Sequence, residues 1–231
     1  MTVLNRHWSV ALGLLLVALA ASAAFAHGVA DSDQAFVEST SGLQVGPFVY
    51  LGAKHMVTGY DHLLFLVGVI FFLFRLREVA TYVSLFALGH SITLLFGVLS
   101  QTHVNPFIID AIIGLSVVYK GFDNIGLLKR WFGRQPSTKL AVFLFGLCHG
   151  LGLATKLQDF HLSQDGLVGN IISFNVGVEI GQFLALGAIL IAISAWRKTA
   201  AFQRQAFGAN VALVGAGVAL TVYQVYGLVN S

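Results

Sequence analysis

Long uninterrupted runs of apolar residues, separated by short polar breaks, occupy nearly the whole chain. Runs at 59–76, 79–100, 106–121, 140–155, 168–195 and 208–228 approach the roughly 20 residues an α-helix needs to cross a bilayer. They lack the period-two alternation of a half-buried strand, and lipid cannot satisfy an open sheet edge, so they predict six transmembrane helices. The piece before them, 43–57, is apolar but broken by Gly46, Pro47 and Lys54, which predicts an interfacial or partly inserted helix. The fold class is therefore an all-α membrane protein.

The first 26 residues form a different pattern. Arg6 and His7 precede a short apolar core, and Ala24-Phe25-Ala26 matches a small-x-small cleavage site, so the segment predicts a cleavable signal peptide with His27 as the mature N-terminus. The expected organisation is a signal peptide at 1–26, a periplasmic segment with the interfacial helix at 27–58, and a six-helix domain at 59–231.

Composition agrees with a membrane protein. Of 231 residues, 57% are hydrophobic and 10% charged, against about 25% charged in soluble domains. The single cysteine, Cys148, excludes an intrachain disulfide, a cysteine-rich zinc module and an iron–sulfur cluster. A formal net charge of +3 does not point to nucleic acid, because no basic cluster is interleaved with aromatics. The charge is topological. With His27 outside, Arg75, Arg77, Lys120, Lys129, Arg130, Arg134, Lys139, Arg197, Lys198 and Arg204 fall on one side and only Lys54 and Lys156 on the other. By the positive-inside rule the basic side is cytoplasmic, which places both mature termini in the periplasm of a bacterial inner-membrane protein.

Against this apolar background the polar residues within spans stand out, since an ionisable group at membrane depth costs about 2.5–3.5 kcal/mol on insertion scales. Asp61 and His62, His90, Asp110, His149, and Asn175 with Glu179 come from five different spans and share one depth, toward the periplasm. His55 stands seven residues before His62, on the same face if the helix continues through Gly59. Asn175, Glu179 and Gln182 follow helical spacing along a stripe. Glycines flank the polar positions and let helices approach closely. Imidazoles with carboxylates suit nickel, cobalt, zinc or copper and not the all-oxygen shells of magnesium or calcium. An interhelical hydrogen-bond network without metal remains the alternative reading of the same residues.

The segment His55-Met56-Val57-Thr58-Gly59-Tyr60-Asp61-His62-Leu63-Leu64-Phe65 resembles the H-x-x-x-G-x-D-H-L-L-F signature of the HupE/UreJ membrane proteins. The segments Phe86–Leu94, Phe145–Gly150 and Phe174–Glu179 are similar to that family's later motifs, in order. The resemblance implies a nickel or cobalt permease associated with metalloenzyme maturation machinery. The spacing alone implies a divalent-metal site, and five residues separate His55 from Asp61 where the better-known nickel permeases have four.

Three classes follow: a permease for a divalent transition-metal ion entering from the periplasm, an intramembrane zinc hydrolase, and a metal-binding accessory protein that does not transport. No H-E-x-x-H helix is present, and Ser91 beside His90 is the sole hint of a nucleophile. Weaker metal candidates are His27, whose free α-amine and imidazole could chelate together, and Asp110 and Gln182. His103 and His161 fall in expected loops. The expected partners are the lipid bilayer and the metal cation.

Overall fold

The computed structural model of the protein describes residues 36–158 and 163–231. The expected signal peptide, its cleavage site and His27 lie outside the described residues, as do Asp159 and His161. Helix accounts for 84% of the described residues, with no strand among them. The elements are α1 (Val45–Thr58), α2 (Tyr60–Ile70), α3 (Leu76–Ser100), α4 (Pro106–Asn124), α5 (Leu127–Phe132), α6 (Thr138–Gln158), α7 (Leu167–Arg197) and α8 (Ala200–Asn230).

Local chemistry sets several boundaries. Asn105 caps α4 by accepting from the Phe107 N–H at 2.9 Å, with Pro106 in the first turn where no N–H is needed. Gln101 ends α3 in the left-handed region at φ 52°. Gly59 separates α1 from α2, and a Cβ there would fall 2.9 Å from His62 Nδ1 and 3.0 Å from the His55 carbonyl. The helix that the hydrophobic pattern places across 59–76 is thus 11 residues long, about 16 Å at 1.5 Å per residue. It is preceded by α1, which packs along α7 rather than standing apart from the bundle.

Helices α3, α6, α7 and α8 are each long and apolar enough to cross a membrane. Helix α4 has 19 residues but carries Asp110, Lys120 and Asp123 within it. Outer faces are apolar: Phe96, Leu144, Ile191, Phe207 and Val222 are all exposed. A large apolar surface on a helical bundle suits contact with lipid.

Three tight helix pairs build the bundle, each through glycine. In α7, Gly177 and Gly181 lie on the Val49 and Ala53 carbonyls of α1, where a Cβ would come within 2.0 and 2.6 Å. In α6, Gly146 and Gly150 lie on the Phe86 and His90 carbonyls of α3, at 2.4 and 2.1 Å for the same imagined atom. Helix α4 meets α8 through Gly114, Gly121 and Gly217. Such spacing lets backbones approach where side chains would hold them apart. The residue pairings also give direction. Helices α1 and α7 run parallel, α3 and α6 run parallel, and α4 and α8 run antiparallel.

Helix α2 occupies the centre, with Leu64, Phe65, Leu66, Val69 and Ile70 buried. It continues in the direction of α1 along α7. At its far end Arg197 of α7 donates to the carbonyls of Ile70 at 2.5 Å, Phe71, and Leu73 at 2.7 Å. Ile70 and Phe71 are at the C-terminus of α2, where carbonyls lack i+4 partners, and Leu73 follows just beyond, so a basic residue of a long helix closes the short one.

Candidate metal centre

The break between α1 and α2 places chemistry at the core. His55 sits in the last turn of α1, and Asp61 and His62 in the first turn of α2. Asp61 Oδ1 accepts from His62 Nδ1 at 2.8 Å and from the His62 backbone N–H at 2.9 Å. An ionised carboxylate only accepts, so it fixes the proton on Nδ1 and leaves the Nε2 lone pair of His62 free.

His62 is the hub of four imidazoles. Its ring centroid lies 5.2 Å from that of His55, 4.5 Å from His149 and 6.3 Å from His90. One ring nitrogen from each of His55, His62 and His90 falls within 4.8 Å of the other two. His62 is 5% exposed, His90 0% and His149 1%. Among the described residues, Nε2 of His55, Nε2 of His62, and both ring nitrogens of His90 and of His149 have no hydrogen-bond partner. Gln182 is also fully buried with both amide atoms unpartnered.

Unsatisfied buried polar atoms each cost about 1–3 kcal/mol and are rare in proteins, so several converging on one point need an explanation. Neutral imidazole lone pairs around a common centre, with a carboxylate orienting one ring from behind, are the donor set of a borderline divalent metal ion. The wall around them is apolar. Phe86 packs against His62, His90 and His149, Phe65 against His149, and Phe174 against His55. Dry surroundings deny the nitrogens water and raise the worth of any ion they share.

The other expected positions separate into those that approach this cluster and those that do not. Asn175 is half-buried and accepts from Ser91 Oγ at 3.1 Å, tying α7 to α3 beside His90. Ser91 is thus committed to Asn175, and among the described residues no hydrogen bond joins it to a histidine. Glu179 is exposed on the outer surface of α7 and is not among the converging ligand atoms. The reason is angular: at 3.6 residues per turn, Glu179 falls about 40° to one side of Asn175 and Gln182 about 20° to the other. Asp110 is buried and accepts from Lys156 Nζ at 2.9 and 3.1 Å. His103 is exposed in the loop between α3 and α4.

Two features were not anticipated from the sequence. Lys156 belongs to α6, seven residues after His149, rather than to a loop. Toward the other end of α2, Lys120 donates to Asp123 at 2.5 Å, Gln135 and Thr138 also donate to Asp123, and Asn124 donates to the Gly68 carbonyl and to Asn210. Helix α4 extends past Gly121 to hold these groups, so both ends of the core around α2 carry buried polar chemistry.

A multi-pass helical membrane protein with a buried histidine cluster at a helix break is the class these features define. The HupE / UreJ protein family model matches residues 31–227, and the chain belongs to that family. No curated protein and no solved structure matches it.

Proposed function

We propose that the protein is a permease that binds a divalent transition-metal ion at the histidine cluster and passes it across the bacterial inner membrane. His55, His62 and His90 are the first ligands, His149 adds a fourth imidazole against His62, and Asp61 orients His62. The observation that carries this reading is the convergence of unpartnered imidazole nitrogens from α1, α2 and α3 on one buried point.

Helix directions support six crossings, with α1 and α2 together forming the first. The first and fifth would run one way, the second and fourth the other, and the third opposite to the sixth. These are the parallel and antiparallel pairs that the glycine contacts make. A broken helix with ligands at its break resembles the discontinuous helices of secondary transporters, where freed backbone and side chains meet the substrate near the bilayer midplane. The buried polar groups beyond Gly68 extend the polar interior toward the basic, cytoplasmic side. Family membership favours nickel or cobalt over zinc or copper. A cleaved signal peptide and periplasmic termini complete the proposed topology.

The test is influx into liposomes reconstituted with the purified protein, with nickel, cobalt, zinc and copper supplied separately. Saturable influx of one or more, absent with His62→Ala, is the expected result. Tight binding without influx would leave a metal-binding accessory protein.

A further inference from the structure

An ion pair lies two turns along α6 from His149, and no role in ligation explains it. Lys156 and His149 are seven residues apart on α6, so they lie on one face of the helix two turns apart. Ile109 of α4 packs against Gly152 of α6, where a Cβ would come within 2.7 Å of its side chain. That contact brings Asp110 to α6 between the levels of His149 and Lys156. Both oxygens of Asp110 accept from the Lys156 ammonium, with the side chains 7% and 24% exposed.

A buried ion pair is poor evidence of stabilisation, because desolvation offsets most of the attraction, and apolar residues often replace such pairs without loss. Beside a cation site its two halves have opposite effects. The ammonium repels a bound divalent ion and the carboxylate attracts it, with less screening than between fully exposed charges. A site that passes ions on must also let them leave, so binding stronger than the task requires is a defect.

We propose that Lys156 sets the affinity of the histidine site for a divalent cation, and that Asp110 positions this lysine and balances its charge. The proposal rests on the metal-binding reading above. A lysine held by Asp110 has its repulsion of the cation partly cancelled, and one without that carboxylate repels it in full.

Calorimetric titration of the purified full chain with nickel, cobalt or zinc salts tests it. Lys156→Gln tightens Kd roughly tenfold and Asp110→Asn weakens it roughly tenfold, the usual size of changes just outside a ligand shell. The double variant returns to within about threefold of the wild type because the lost charges cancel. Lys156→Arg keeps the charge and stays within about threefold, whereas Lys156→Met behaves as Lys156→Gln and replaces it if that variant is not monodisperse. Unchanged or weaker binding by the neutral Lys156 variants, or shifts of the same sign for Lys156→Gln and Asp110→Asn, would overturn the proposal. A wild-type chain that binds none of the metals overturns the metal reading as well. Wild-type binding with unmoved variants overturns this proposal alone.

Discussion

Asp61 Oδ1 holds His62 Nδ1 at 2.8 Å, and the opposite nitrogen of the same ring has no protein partner. The two residues are adjacent in sequence, in the first turn of α2, and Gly59 leaves the room their side chains need. An orienting carboxylate on one nitrogen and an empty lone pair on the other is how proteins present histidine to a metal. The relationship leaves Nε2 as the atom of His62 with a lone pair to offer.

Asp61→Asn tests that role while keeping size. The amide no longer enforces the Nδ1–H tautomer and no longer contributes charge, so metal affinity falls about 10–100-fold. Circular dichroism and size-exclusion behaviour should stay as in the wild type. An affinity within twofold of wild type, by calorimetry, would mean that Asp61 serves the fold alone.

Single alanine replacements at His55, His62 and His90 should each lower affinity steeply. Because the three share one centre, the loss in a double variant should be much smaller than the sum of its singles. His103→Ala, in an exposed loop, is the control and should bind as the wild type does. Small additive losses at the three histidines would point to separate hydrogen-bonding roles.

Gly150→Ala probes the packing that delivers His149 to the cluster. The new methyl would sit 2.1 Å from the His90 carbonyl, so α3 and α6 must separate, at a cost of about 1–3 kcal/mol. Thermal unfolding in detergent should show a lower Tm together with weaker metal binding. Gly215→Ala has no atom within 4 Å, and the better helix former should leave Tm unchanged or raise it. Equal effects at the two glycines would contradict close helix approach as the reason for Gly150.

Arg197→Ala should loosen the far end of α2. Three carbonyls lose a charged donor, each such bond being worth about 1.5–3 kcal/mol when buried, and the half-buried position puts the loss at the lower end. Arg197→Lys should restore only part, since one ammonium cannot reproduce the planar fork. Hydrogen exchange of the residues at the end of α2 reads this directly, faster exchange in Arg197→Ala being the expected outcome.

The helical class was legible because continuous apolar runs admit no other regular structure in lipid. His55, His62, His90 and His149 were legible because imidazoles are costly in such runs and recurred at one depth. The break at Gly59 was harder to read. Glycine is common in closely packed spans, and only the crowding between His55 and His62 distinguishes this one. Glu179 shows the limit of spacing arguments: a residue at i+4 lies near the edge of a stripe, and packing of α7 on α1 decides which side of the edge it takes. Lys156 and Lys120 stand at the ends of apolar runs and read only as markers of membrane side, whereas each is held within a helix by an aspartate, Asp110 on a neighbouring helix and Asp123 one turn along the same helix.

The histidine metal centre is tested most directly by X-ray absorption on purified protein after metal loading and removal of excess ion. The expected result is one bound divalent ion per chain with at least three imidazole nitrogens in its shell, at about 2.0–2.1 Å if the ion is zinc, and loss of that shell in His62→Ala. An ion held by oxygen alone, or the same shell in His62→Ala, would contradict it.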